Sequence, residues 1–138
     1  MVNLSNILIL AEITMKTNLI QITNITKSTK PLVARNCTRF VERFRGLMFA
    51  PSLPANYGIL LDEQSDSTLN TSIHMLFMNF DITAVWIDSN RQVVDVKVAK
   101  KWALAYFPKS PARYILETST DRFDDYSIGD QLSFSNVE

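Results

Sequence analysis

A mainly β fold, a small antiparallel β sandwich or barrel with one short α-helix, is predicted for this chain by three observations. Short apolar runs alternate with period two, turn residues separate them, and one segment alone has helical spacing. The 138 residues, 46% of them hydrophobic, suffice for one continuous core without a second domain. The spacing places a single β-rich domain over residues 19–138, behind a loosely ordered extension over 1–18 in which Met15 as well as Met1 offers a start.

Each element has its own signal. Ile20, Ile22 and Ile25 mark the first strand, and the Ser, Thr and Pro of Lys27 to Pro31 mark a turn into a second, Leu32 to Ala34. Thr38 to Arg45 carries the helix: Phe40, Val41 and Phe44 share one side, and Gly46 stands where a helix ends. Pro51 and Pro54 bracket a turn before a buried strand, Tyr57 to Leu61. Asp62 to Ser72, apolar only at Leu69, reads as an exposed loop. Ile82 to Asp88 and Arg91 to Ala99 form a hairpin about Ser89-Asn90, with Asn90 supplying the positive backbone angle. A second loop, Lys101 to Pro111, precedes the strand Tyr114 to Thr118, and Gly129-Asp130 turns into a last strand, Leu132 to Phe134.

Composition removes several chemistries. The formal net charge is zero and Lys100-Lys101 is the only notable basic pair, so no nucleic-acid partner is expected. Cys37 is the one cysteine, which forbids an internal disulfide and a multi-thiolate zinc site. His74 is the one histidine, so any Ser-His-Asp or Cys-His mechanism must pass through it. No window approaches the ~20 apolar residues of a membrane helix, and the run Ile7 to Ala11 lacks the flanks of a secretory signal, which points to a cytoplasmic protein.

A series of motifs occurs in order along the chain: Arg45-Gly46-Leu47-Met48-Phe49, Leu53-Pro54, Gly58-Ile59-Leu60, Ile73-His74-Met75 through Phe77-Met78, Trp86-Ile87-Asp88, and Ala112 through Glu117, then Gly129-Asp130. Together they resemble the bacterial and archaeal family called domain of unknown function 192, over roughly Leu19 to Phe134. The resemblance implies a small, sandwich-like, mainly β domain with a short helix before the Gly-Leu-Met motif, and no settled activity or residue roles. Two departures stand out: Asn90 replaces a usual hairpin glycine, and Ser119 to Phe123 contains no glycine where the family has one.

Candidate sites follow from residue type and place. His74 and Met78, at a separation that keeps one side on a helix or a strand, form a soft-metal (Cu(I)) candidate with Met48 or Met75; the competing expectation is core packing. Ser72 or Cys37 is the nucleophile of an enzyme centred on His74, though no nucleophile-elbow motif accompanies them. Trp102 and Tyr106, with Phe107, offer stacking surfaces that Arg45, Asp81 or Arg113 would complement, against the alternative that the aromatics roof the core. The leading expectation is a non-catalytic module binding a small molecule or a protein, with His74, Arg45, Asp81, Trp102, Tyr106 and Arg113 as its ligand-binding residues. No catalytic residue, metal ligand or cofactor is assigned.

Overall fold

The computed structural model describes residues 18–38 and 46–137. Seven strands follow in order: β1 (Leu19–Asn24), β2 (Leu32–Cys37), β3 (Tyr57–Ser67), β4 (Ile82–Ile87), β5 (Val93–Ala99), β6 (Ala112–Thr118) and β7 (Leu132–Asn136), with a 3-10 helix, Thr120–Asp125, between the last two. They form one sheet in the order β5-β4-β6-β3-β2-β1-β7. All neighbours run antiparallel except β2 and β3, which are parallel with Ala34 opposite Gly58. The expected helix at Thr38 to Arg45 and the N-terminal extension fall, but for Thr38 and Asn18, outside the described residues.

The sheet coils enough for its two edges to touch. An isolated bridge joins Gln92 to Gln131, and Val93 N–H donates to the Asp130 carbonyl at 2.9 Å. It remains open, because β5 and β7 share no ladder beyond that corner, and the barrel alternative is not realised. The coiling creates an interior to which every strand contributes: Ile22, Leu32, Leu60, Val85, Val93, Leu116 and Leu132 are all buried there. On the opposite face a second apolar cluster, including Ile59, Trp86 and Ile115, is roofed by Leu47, Ile73, Met75 and Met78 from the connecting segments. Covered on both faces, β4 is buried at all six positions, which explains why it reads as a continuous apolar run.

Two local expectations are corrected, and one departure from the family pattern is explained. Asp62 to Ser67 is not loop: β3 continues to Ser67, where it pairs with Ala112 after an irregularity in register. At the β4–β5 turn the positive angle falls on Arg91 (φ 65°), not Asn90. The Asp88 carboxylate organises this turn by accepting from the N–H groups of Asn90 (2.9 Å) and Gln92 (3.0 Å), while the Arg91 guanidinium lies 4.2 Å from the Phe134 ring centroid. Ser119 to Phe123 needs no glycine because Ser119 caps the 3-10 helix, its Oγ accepting from Asp121 N–H at 3.2 Å. Buried Arg122 in that helix donates to the carbonyls of Ala55 and Lys30, tying two distant turns together.

Candidate functional site: a cavity over Glu117

A cavity of about 390 Å³ opens on the second face, between the Gly46–Met48 segment, β3, residues 70–78 and β6. Backbone hydrogen bonds build its roof, among them Met75 N–H to the Ala103 carbonyl at 2.9 Å. Ile73 and Tyr106 exchange backbone bonds at 3.0 and 2.8 Å, and Trp102 N–H donates to the Met75 carbonyl at 2.7 Å. From below, the Trp86 indole N–H reaches the carbonyl of fully buried Thr71 at 2.6 Å. The 70–78 segment is thus held at a fixed height above the sheet.

Glu117 forms the floor. It sits on β6 opposite Ile59 of β3 and Ala84 of β4, on the face that also carries Ile115. Surrounded by strand on both sides, it is 6% exposed, and among the described residues its carboxyl has no hydrogen bond or ion pair. Burial therefore pushes its pKa up to about 7. Glu63, Asn70, Ser72 and His74 supply the other polar wall, and Leu61, Met48, Met75 and Met78 the apolar one.

Of the five described residues among those expected to bind a ligand, His74 alone lines this cavity. Arg45 lies outside the described residues. Asp81 accepts from Lys101 N–H at 2.8 Å and from Lys100 Nζ at 3.4 Å; the Lys101 hydrogen bond leads in holding its carboxyl below the ordinary range. The Tyr106 hydroxyl accepts from Lys100 N–H at 3.0 Å, so Tyr106 braces the roof. Arg113 is engaged by both oxygens of Asp62, at 2.9 and 3.1 Å, a bidentate pair that raises its pKa. Trp102, 56% exposed, meets Phe77 edge-on at 5.3 Å, and Phe77 stacks on Phe49 at 5.2 Å, all three at positive φ.

Both nucleophiles of the enzyme alternative make other contacts. Ser72 Oγ donates to the Leu69 carbonyl at 2.8 Å, and Cys37 is fully buried with its thiol toward the Arg35 carbonyl at 3.8 Å. The soft-donor candidates do converge, since Met48, His74, Met75 and Met78 all border the cavity. No group of three His, Cys, Asp or Glu among the described residues is arranged to hold a metal ion. In the sequence Glu117 stands out only as the end of the Ala112 to Glu117 motif, not as a site residue. Its signal was available: an acid at a strand position whose period-two neighbour is Ile115, on a segment otherwise patterned for burial.

The family description "Uncharacterized ACR", domain of unknown function 192, matches residues 21–134. The chain belongs to this family. Among its curated relatives, the UPF0127 protein of Thermococcus sibiricus is 42% identical over 72% of this chain and 64% of its own length. That of Pyrococcus furiosus is 33% identical over 83% of this chain and 97% of its own. The chain thus spans less than two thirds of the Thermococcus relative. Two crystal structures share the fold. A "putative transcription regulator" of Sinorhizobium meliloti 1021 has a TM-score of 0.74 at 18% identity, covering 86% of this chain and 94% of that one. A protein of unknown function from Novosphingobium aromaticivorans DSM 12444 has a TM-score of 0.68 at 15% identity, covering 83% of each. This member of domain of unknown function 192 is therefore mainly β with one coiled sheet, and no helix among its described residues is long and apolar enough to cross a membrane.

Proposed function

We propose that this protein is a small-ligand-binding module whose ligand occupies the cavity over Glu117. One observation carries this reading: a buried carboxyl without a hydrogen-bond or ion-pair partner among the described residues borders open space, although its desolvation is costly. Folding alone gives no return for a glutamate there, since an apolar residue would fill the same strand position at lower cost. A pocket lined mostly by apolar side chains, with a few polar groups converging from different elements, is the usual form of a small-molecule site. The cavity volume falls within the ordinary range for such sites, about 300–1,000 Å³.

The test is a thermal-shift screen of organic cations, acids, sugars and nucleotides against the wild type and Met48→Trp, which places a large ring at the cavity wall. A ligand that raises the melting temperature of the wild type and not of the variant supports the site. A ligand equally effective on both binds elsewhere, and silence of the whole screen counts against a small-molecule site.

A second reading, a soft-metal site, rests on the convergence of His74 with Met48, Met75 and Met78. Met75 and Met78 are 1% and 2% exposed and packed in the apolar cluster, which makes them wall before ligand. Competition for Cu(I) against a colorimetric chelator decides it: a protein that withdraws no Cu(I) from the chelator has no such site.

A further inference from the structure

We propose that the occupant of the cavity is a small organic cation, an ammonium group on a short apolar frame, with the Glu117 carboxylate as its counter-ion. The proposal rests on the cavity being a ligand site and adds the charge class. A carboxyl buried beside open space is matched by a proton or by a cation, because the bare anion bears the full desolvation cost. An anionic ligand would meet the Glu117 carboxylate in a poorly solvated site.

Asn70 and Ser72 are neutral and bring oxygen acceptors, while Leu61, Ile115 and the methionines cover a carbon frame with apolar, polarisable surface. The lack of any three-donor metal arrangement among the described residues favours an organic cation over a bare divalent ion. The titratable groups facing the ligand are Glu117 from β6, Glu63 from β3 and His74 from the 70–78 segment, and Glu117→Gln isolates the part that belongs to Glu117.

Calorimetric titration with butylammonium, 1-butanol and butyrate separates charge from shape. Butylammonium is expected to bind at least about tenfold more tightly than its neutral isostere, with butyrate weakest. Because the Glu117 proton must leave before the ion pair forms, affinity should fall about 30-fold between about pH 8 and about pH 5.5, given a pKa of about 7. Glu117→Gln, nearly isosteric, should abolish the preference for the amine and flatten the profile, its folding checked by a cooperative melt. Equal binding of 1-butanol or butyrate overturns the cation and leaves the cavity reading intact, as does a pH profile that Glu117→Gln leaves unchanged. Failure of butylammonium to bind at millimolar concentration also overturns it, and the wider screen with Met48→Trp then judges the cavity separately.

Discussion

Gly58 lies against Glu117 so closely that a Cβ at position 58 would stand 2.7 Å from the Glu117 carbonyl oxygen. The contact is between adjacent strands β3 and β6, and the obstructing atom is backbone, which cannot rotate away. Leu116 Cδ1, at 3.2 Å, closes the other side. The glycine therefore sets how near β3 comes to the strand that carries the cavity floor.

Gly58→Ala should accordingly cost roughly 1–3 kcal/mol, the range for overpacking against a rigid neighbour. Urea denaturation measures it. A loss below about 0.5 kcal/mol would mean that the two strands can separate freely at this point.

Glu117 makes stability depend on pH in an unusual direction for a carboxyl. Its folded pKa is raised from 4.5 to about 7, so between those values the folded state holds a proton that the unfolded chain has released. The contribution is fully present below about pH 4.5, is lost as pH rises toward 7, and is flat above it, with a span on the order of 3 kcal/mol. Glu117→Gln should remove this component, becoming more stable than wild type at about pH 8 and not at about pH 4.5. Denaturant titrations of both proteins at several pH values give the difference directly, and parallel curves would refute it.

Gln64 interrupts β3 with φ 68°, its N–H donating to Asp62 Oδ1 at 2.7 Å, and its side chain is exposed. A left-handed backbone costs an L-residue about 1–2 kcal/mol, which glycine avoids at a smaller entropic cost. Gln64→Gly is expected to raise stability by about 0.5–1 kcal/mol. A melting temperature unchanged or lowered would show that the Gln64 side chain contributes more than its backbone costs.

Trp86 supplies the only indole N–H aimed at Thr71 among the described residues, and Thr71 is fully buried. Trp86→Phe leaves that carbonyl unsatisfied and removes ring volume, for a loss of about 2–4 kcal/mol. The Ile73 and Met75 amides, which hold the cavity roof through Tyr106 and Ala103, should exchange hydrogen faster in the variant. Hydrogen exchange followed by mass spectrometry reports this, and unchanged protection at 70–78 would separate the roof from the Trp86 bond.

Much of the fold was legible because β4 and β6 bury runs of apolar residues and the turns carry Asn, Gly and Asp. The second half of β3 was not. Asp62 to Ser67 has no apolar alternation, and it is strand because β6 and its Arg113–Asp62 pair extend alongside it. The positive angle at Arg91 was likewise hidden, since it is compensated by the Asp88 carboxylate and the Phe134 ring, one local and one distant in sequence.

By itself, the sequence determined the mainly β class, the family, and the chemistry that a single histidine and a single cysteine allow, because these depend on local periodicity, motif order and residue count. Only the tertiary structure decided that Glu117 is the floor of a cavity and that Asp81, Tyr106 and Arg113 are engaged elsewhere. The physical reason is that desolvation and pairing belong to the environment of a side chain. For Glu117 that environment is assembled from Ile59, Ala84, His74 and Met48, residues that the chain brings together only on folding.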